Sequence, residues 1–238
     1  MKTEYLDYTD GKHTFEGFVA HNQSKAGKSP CVIICHAWGG QSDFDRDNAE
    51  KLAVLGYVGF AADVYGKGVR GEASADNTIL IQPLLDDREG LRDRLLSAVE
   101  TAKTLPYVDP DKIAAIGFCF GGLCALDLAR AATPDIKGVI SFHGLFFPPN
   151  LGEQKKIDAK ILILHGWEDP LATPENVISI SEELTKADAD WQLHAFGKTK
   201  HAFTLPSAND ISKGNFYNAM SATRAWQAAE NFLSEIFE

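Results

Sequence analysis

The chain has 238 residues, of which 45% are hydrophobic and 24% are charged, and this ordinary globular balance excludes a disordered tail, a collagen and a coiled coil. The 23 Lys and Arg residues against 33 Asp and Glu residues give a net charge of −10. Such a surface repels phosphate backbones and anionic lipids. We therefore expect neither a nucleic-acid partner nor a membrane partner.

The first residues and the cysteines indicate the compartment. Residues 1–5 carry charge where a secretory signal would need an apolar segment. The nearly apolar run 53–62 is much shorter than the roughly 20 residues that cross a bilayer. Cys31 and Cys35 lie on one predicted strand, where four residues span roughly 13 Å, too far for a disulfide. We predict a cytoplasmic protein with free thiols and a single domain over residues 1–238.

Apolar runs and helical stripes alternate along the chain. A β-hairpin is predicted over residues 4–21 around Asp10-Gly11, and residues 66–82 are predicted to form a loop. The other predicted elements are strands at 31–35, 57–64, 112–117, 138–143, 160–164 and 191–196, and helices near 45–55, 91–105, 120–132, 174–184 and 222–233. This alternation predicts an α/β fold whose mostly parallel, mixed sheet has helices on both faces. In such sheets ligands bind beyond the carboxyl ends of the strands.

The segment Gly117-Phe118-Cys119-Phe120-Gly121-Gly122 follows a predicted strand and opens a predicted helix. This is the context of the nucleophile elbow G-x-S-x-G, with Cys in place of Ser. The positive end of the helix dipole favours a thiolate at that position. The alternative is a small buried Cys119 beside glycines that are needed for strand–helix packing.

A thiol nucleophile needs a histidine base, and the histidine needs a carboxylate to orient it. In this fold the acid and then the histidine follow the nucleophile along the chain. Asp169 and His201 each lie just past a predicted strand, in that order. Taken alone, Asp169 is explained as a turn residue before Pro170 and His201 as an exposed loop histidine. Their joint placement favours a triad of Cys119, Asp169 and His201.

The loop after the first buried strand is predicted to contribute to an oxyanion hole. Its donor is the amide of Ala37, and the second donor is the amide of Phe120, the residue after the nucleophile. The alternative for this loop is a Gly-Gly turn that leads into a helix. The candidate pocket walls, for which ordinary core packing is the alternative, are His36, Trp38, Phe118, His143, Phe203 and Leu205.

No phosphate-binding loop, dinucleotide fingerprint or metal-ligand spacing occurs in the sequence, so neither a cofactor nor a metal is expected. The sequence carries no signal for the oligomeric state.

Three motifs, G-F-C-F-G-G at 117–122, H-G-W-E-D-P at 165–170 and H-A-F at 201–203, resemble those of the dienelactone hydrolase family of the α/β-hydrolase fold. The resemblance extends over nearly the whole chain. It implies that Cys119 is the nucleophile, His201 the base and Asp169 its orienting partner.

The sequence departs from the type enzyme of that family at two positions. His36 stands where the type enzyme has a Glu that interacts with the thiol, and His36 could polarise the thiol, line the pocket or be structural. Leu205 stands where the family motif H-x-F-x-R has an Arg that helps to hold the substrate carboxylate. A buried carboxylate without its cation is costly, so neutral or aryl substrates are favoured. Arg70 or Arg88 could restore anion binding from a loop.

The resemblance implies a hydrolase that cleaves small carboxylic esters or lactones through an acyl-thioenzyme. The same residues could attack a neutral organophosphate triester. A reading from another class is a non-enzymatic redox thiol or ligand-binding protein. Against a redox role, Cys124 lies five residues beyond Cys119 in the same predicted helix and is poorly oriented for a disulfide.

Overall fold

The structure is a computed structural model, and it describes residues 1–72 and 75–238. Strands and helices alternate along these residues, as the sequence predicts. The strands are β1 (Lys2–Thr9), β2 (Thr14–His21), β3 (Ser29–Cys35), β4 (Val58–Ala62), β5 (Val108–Phe118), β6 (Ile136–Phe142), β7 (Lys160–Gly166), β8 (Trp191–Phe196), β9 (Asn209–Asp210) and β10 (Asn215–Phe216). The helices are α1 (Asp43–Val54), α2 (Thr78–Asp86), α3 (Arg88–Thr104), α4 (Phe120–Arg130), α5 (Pro174–Lys186) and α6 (Ala219–Phe237).

One eight-stranded sheet lies at the centre, in the order β1-β2-β4-β3-β5-β6-β7-β8. β1 and β2 form the predicted antiparallel hairpin, and β2 is antiparallel to β4. All other neighbouring strands are parallel. The predicted mostly parallel, mixed sheet with helices on both faces is therefore confirmed. The carboxyl ends of β3 to β8 meet along one edge, where a ligand is expected in such sheets.

Side chains of the central strands alternate between two apolar clusters. On β3, Ile33 belongs to the cluster that includes residues of α3, α4 and α5, whereas Ile34 belongs to the cluster that includes residues of α1 and α6. On β5, Ala115 and Ile116 divide in the same way. Successive side chains of a strand point to opposite faces, so burial of both faces explains the nearly continuous apolar sequence of these strands.

Side chains at the helix starts fix where the helices begin. The amide of Ser42 donates to the carboxylate of Asp45 over 2.8 Å at the start of α1, and the amide of Gly90 donates to Asp87 over 2.9 Å at the start of α3. These contacts satisfy amides that the helix itself leaves unpaired. Within residues 1–72 and 75–238, none of the helices is long and apolar enough to cross a bilayer.

The prediction of a loop over residues 66–82 is wrong at its carboxyl end, where α2 begins. Ile81 and Leu84, one turn apart on α2, are buried in the cluster on the α3 side of the sheet. A helix this short is marginal by itself, so tertiary burial of the pair stabilises it. Two residues of the predicted loop, Ala73 and Ser74, lie outside the described residues.

The predicted strand 57–64 is shorter in the structure, because β4 ends at Ala62. The carboxylate of Asp63 accepts hydrogen bonds from the amides of Tyr65 (3.0 Å) and Gly66 (3.3 Å), and this turn directs the chain away from the sheet. The remaining predicted elements agree with the structure to within a few residues at each end.

The main chain packs very closely where β5 passes into α4. A Cβ atom on Gly117 would lie 1.8 Å from the carbonyl oxygen of Gly121, and a Cβ atom on Gly121 would lie 1.9 Å from the carbonyl oxygen of Cys35. Both neighbours are backbone atoms, which cannot rotate aside. The two glycines therefore allow α4 to begin directly against the ends of β5 and β3.

Replacing Gly121 with Ala should destabilise the fold strongly. The new methyl group would overlap the Cys35 carbonyl, so we expect a loss of about 3 kcal/mol or more in the free energy of unfolding. Urea unfolding followed by circular dichroism measures it. Gly197→Ala is the matched control, because a Cβ atom there meets nothing within 4 Å, and its effect should lie between none and a stabilisation of about 1 kcal/mol. Equal stability of the two variants would contradict the close approach.

Candidate active site

Cys119 forms a sharp turn between β5 and α4. Its backbone has φ 56° and ψ −116°, a conformation that residues with a side chain rarely adopt. It is partly exposed, whereas Cys31, Cys35 and Cys124 are buried and unpaired. The position at the end of a central strand and before a helix is the one predicted for the elbow. Cys119 is therefore the cysteine in the described chain that solvent reaches most readily.

Asp169 and His201 are brought together from two separate loops. Nδ1 of His201 donates to Oδ2 of Asp169 over 2.7 Å, and both residues are 2% exposed. The other carboxylate oxygen of Asp169 accepts the amide of Leu171 over 2.8 Å. The carboxylate therefore fixes the orientation of the imidazole ring.

The backbone of His201 is held by the β9–β10 hairpin. Its amide donates to the carbonyl of Gly214 over 2.9 Å, and its carbonyl accepts the amide of Phe216 over 3.0 Å. The carboxylate thus orients the ring of His201, and the hairpin fixes its main chain.

The pKa of His201 responds to both Asp169 and Cys119. Burial by itself would lower the pKa of His201, but the charge of the Cys119 thiolate and the hydrogen bond with Asp169 outweigh it and raise the pKa to about 10. Nε2 of His201 is buried and forms no hydrogen bond of normal geometry in the described part of the chain. Asp169 and the ionised form of Cys119 therefore both favour the protonated ring, in which Nε2 is the remaining donor.

His36 has both ring nitrogens engaged away from Cys119. Nδ1 donates to the carbonyl of Ala37 over 2.7 Å, and Nε2 accepts the amide of Val64 over 3.2 Å. Burial lowers the pKa of His36, so the ring is neutral, with its proton on Nδ1. These contacts fix the turn at the carboxyl end of β3 and leave no ring nitrogen for the thiol.

The two predicted oxyanion donors are the amide of Ala37, in the loop after β3, and the amide of Phe120, the first residue of α4. Neither the amide of Ala37 nor that of Phe120 donates a backbone hydrogen bond within residues 1–72 and 75–238. The Ala37 carbonyl accepts Nδ1 of His36 and the amide of Gly40, which fixes the peptide groups of this turn. Both amides therefore remain available to an acceptor.

Two of the predicted pocket walls are core residues instead. Phe118 is 1% exposed and packs on Phe142 at 4.8 Å and Phe44 at 4.9 Å between ring centroids. Phe203 is fully buried and contacts Phe196. Phe118 belongs to the same sheet face as the neighbouring even-numbered residues of β5, so strand alternation explains the correction. Trp38 and Leu205 retain exposure and can line a pocket.

His143 is buried behind His201 rather than exposed in a pocket wall. The two rings meet edge to face with centroids 5.1 Å apart, and Nε2 of His143 lies 2.8 Å from the hydroxyl of Thr204. Burial, together with the charge of His201, holds the pKa of His143 well below its usual range. A neutral ring therefore supports the loop that carries His201.

Sequence reasoning missed Tyr65, which belongs to this site. Its hydroxyl donates to the carbonyl of Trp38 over 2.8 Å, and its ring stacks on Phe120 with centroids 6.1 Å apart. Burial raises the pKa of Tyr65, and the charges of Cys124 and Cys119 contribute. Its position just past the carboxyl end of β4 was the available signal.

Arg70 and Arg88 are engaged elsewhere and do not restore an anion site. Nη1 of Arg70 lies 3.3 Å from the buried carboxylate of Asp63, and Arg88 forms a two-bond contact with Asp127. Neither arginine therefore supplies the cation that is missing at position 205.

Comparisons with known proteins agree on one family. The model of the dienelactone hydrolase family matches residues 15–237. A relative from Aquifex aeolicus that is named as a carboxymethylenebutenolidase is 30% identical over 210 residues, which cover 86% of this chain and 87% of the relative. A protein from Caenorhabditis elegans, K02A2.1, which is named as uncharacterized, is 37% identical over 65% of this chain and 99% of its own length.

Solved structures agree with these matches. The dienelactone hydrolase-like promiscuous phosphotriesterase P91, from metagenomic libraries, is 34% identical, with a TM-score of 0.94 over 100% of this chain and 99% of its own. The dienelactone hydrolase of Anabaena variabilis, at 18% identity, has a TM-score of 0.68 over 100% of this chain and 99% of its own. The fold of the chain is that of the α/β-hydrolases.

Replacing Cys119 with Ser should lower the pKa of His201 from about 10. The thiolate charge disappears while the Asp169 contact remains, so we expect a fall of about 1 to 3 pH units. A proton–carbon NMR titration of the histidine ring measures it.

Because the folded pKa exceeds 6.5, protonated His201 stabilises the native protein fully below pH 6.5, and this contribution should fade towards pH 10.

Cys124→Ser is the control for that titration, because it alters a buried thiol of the same helix without removing the charge beside His201. An unchanged His201 pKa in Cys119→Ser would show that the thiol is not its electrostatic partner.

Proposed function

The chain belongs to the dienelactone hydrolase family, a family of hydrolases, and from this premise we propose that it cleaves carboxylic esters or lactones with Cys119 as the nucleophile. The observation that carries the proposal is the 2.7 Å contact between His201 and Asp169, together with the raised pKa of His201 that the Cys119 charge produces. A partly exposed thiolate beside a protonated histidine is an activated nucleophile, and the histidine is the acid that protonates the leaving group.

The acyl-transfer step follows from this charge arrangement. The Cys119 thiolate attacks the carbonyl carbon of the substrate, and the carbonyl π electrons move onto its oxygen. The amides of Ala37 and Phe120 donate to that oxyanion. The intermediate collapses with cleavage of the carbon–oxygen ester bond, and His201 gives its Nε2 proton to the departing alkoxide. The product of this step is an acyl-thioenzyme with a neutral imidazole.

Hydrolysis of the acyl-thioenzyme uses the same imidazole as a base. Neutral His201 takes a proton from water while the water oxygen attacks the thioester carbonyl. Collapse breaks the carbon–sulfur bond, releases the carboxylic acid and restores the thiolate of Cys119 beside protonated His201. Asp169 keeps the ring oriented and stabilises its positive charge in both steps.

His36 acts on the site through the backbone rather than on the thiol. Its ring joins the carbonyl of Ala37 to the amide of Val64, and so it fixes the turn that presents the Ala37 amide. We assign it a positioning role.

Neutral substrates fit the charges around Cys119. Leu205 supplies no cation, and Arg70 and Arg88 are paired with buried carboxylates. A substrate carboxylate would lose hydration at this edge without gaining a partner. Trp38 and Tyr65 instead offer aromatic surface, which favours an apolar or aryl group. The relatives named as carboxymethylenebutenolidases extend the class to lactones.

Hydrolysis of p-nitrophenyl acetate, butyrate and octanoate tests the nucleophile. Stopped-flow traces of the wild type should show a burst of nitrophenolate followed by turnover, and Cys119→Ala should lose both, with kcat/KM lower by about 10³-fold or more. Asp169→Asn should reduce kcat by about 10²- to 10⁴-fold, because the ring loses its orienting partner.

Cys124→Ala is the matched control for these measurements, since it removes a buried thiol from the same helix. A correctly folded Cys119→Ala with wild-type turnover would remove Cys119 as the nucleophile. Ester turnover by neither protein, with peroxide-sensitive Cys119, would favour the redox-thiol alternative.

A p-nitrophenyl ester that carries a free carboxylate should react more slowly than its neutral counterpart.

A second candidate activity is the hydrolysis of neutral organophosphate triesters. The phosphotriesterase P91 is 34% identical over the whole chain. A phosphoryl oxygen can occupy the same pair of amides as a carbonyl oxygen, and an aryl leaving group needs little help from His201. The thiolate would displace the aryl oxide at phosphorus, and water activated by His201 would then cleave the sulfur–phosphorus bond.

Diethyl p-nitrophenyl phosphate tests this activity. We expect release of many equivalents of nitrophenolate per enzyme, loss of that release in Cys119→Ala, and a diethylphosphoryl group on Cys119 in intact-protein mass spectra of rapidly quenched samples. Release that stops at one equivalent with a permanent adduct would mean inhibition rather than turnover.

A further inference from the structure

A second cavity lies away from Cys119, among α3, α4, α5 and the segment 148–155. Its volume is about 550 Å³, which is within the range of small-molecule sites. On α4 its wall begins at Asp127, eight residues or about 12 Å along the helix from Cys119. The cavity is therefore separate from the candidate active site.

The charge of this cavity is opposite to that of the whole chain. Five basic and three acidic side chains line it, a surplus of two positive charges on a protein of net charge −10. The five basic residues are Arg88, Arg92, Arg130, Lys155 and Lys186. A concave basic patch on an acidic surface attracts small anions and concentrates them.

A buried ion network holds the inner wall rigid. Arg88 binds both oxygens of Asp127, over 2.8 and 2.6 Å, and its side chain is 6% exposed. Arg130 contacts Asp127 at 3.1 Å and binds both oxygens of Glu183. Both arginines also donate to the carbonyl of Phe147. The wall is pre-organised, which lowers the cost of binding a ligand.

Donors remain for a ligand after these contacts are counted. Arg88 uses Nε and Nη2, and its Nη1 forms no hydrogen bond within the described residues. Lys155 and Lys186 lie exposed at the rim, and neither forms an ion pair in the described part of the chain. Of the three acids, Asp127 and Glu183 are already paired with arginines, whereas the exposed Glu153 forms no ion pair in the described part of the chain and offsets one of the two lysine charges. The unsatisfied charge of the cavity is therefore positive.

Apolar groups complete the lining. Pro148, Pro149 and Leu151 contribute to the lining, and so do Ala131 and Ala187, the residues that directly follow α4 and α5. A ligand that matches this surface has an apolar body and an anionic head.

We propose that this cavity is a binding site for a small organic dianion with an apolar body, either a phosphate monoester or a dicarboxylate. The Lys155 and Lys186 ammonium groups and the free Nη1 of Arg88 contact the anionic groups, and the proline and leucine side chains contact the body. The site is independent of the hydrolytic activity proposed for Cys119.

Isothermal titration calorimetry with phenyl phosphate and, separately, phthalate tests the site and distinguishes the two kinds of dianion. At least one probe should bind with one-to-one stoichiometry and a Kd of about 1 mM or lower. Affinity should fall with added salt. Lys186→Gln and Lys155→Gln should each weaken binding by about 3- to 10-fold. Lys12→Gln, which makes the same charge change on the β1–β2 turn, should leave it unchanged.

The candidate active site is excluded by repeating the titration after alkylation of Cys119 with iodoacetamide, and binding should persist. Loss of binding after alkylation would place the anion at Cys119 and overturn the proposal. It would also be overturned by equal weakening in Lys12→Gln, or by the absence of saturable binding for both probes.

Discussion

The positive φ of Cys119 is the constraint on which the rest of the site depends. This conformation costs on the order of 1–3 kcal/mol at a residue with a side chain, and it persists because its surroundings leave no alternative. All eleven residues of α4 are buried, so the helix cannot move to relieve the turn. Gly117 and Gly121 allow the main chains of β5, α4 and β3 to meet. The strain is offset by the apolar packing of a helix that is surrounded by protein.

The burial of Asp169 and His201 then determines how strongly their charges interact. Asp169 and His201 are both 2% exposed, and in such a medium opposite charges interact far more strongly than in water. Burial alone would favour a neutral imidazole, as it does for His36 and His143. His201 differs from these two because it forms a 2.7 Å hydrogen bond with a carboxylate and responds to the charge of Cys119, whereas the nearest carboxylate oxygen to His36 in the described chain is 3.9 Å away, on Asp63. Of the three buried histidines at this edge of the sheet, His36 and His143 thus favour the neutral ring and His201 favours the protonated ring.

Much of this arrangement could be predicted from the sequence, because it depends on chain order. A cysteine between a strand and a helix, followed by an acid and a histidine that each end a strand, defines the edge of the sheet at which all three lie. The features that could not be predicted depend on contacts between distant residues. α2 is stabilised by burial of Ile81 and Leu84, and the partner of Arg88 lies 39 residues away. For Phe118 the sequence allows either a pocket wall or core packing, and only the face that it shares with Ala114 and Ile116 in the folded sheet decides for the core.

The β9–β10 hairpin is a part of the site that can open locally without the central sheet. Two backbone hydrogen bonds to His201 come from this short excursion between β8 and α6, and its two strands of two residues each have little packing of their own. Small elements of this kind open at a lower free energy than a central sheet. We therefore expect that, on heating, His201 loses these two hydrogen bonds while β3 to β8 are still intact, so that inactivation precedes unfolding of the sheet. In that case residues 209–216, rather than the large apolar core, would set the time for which the protein stays active at high temperature.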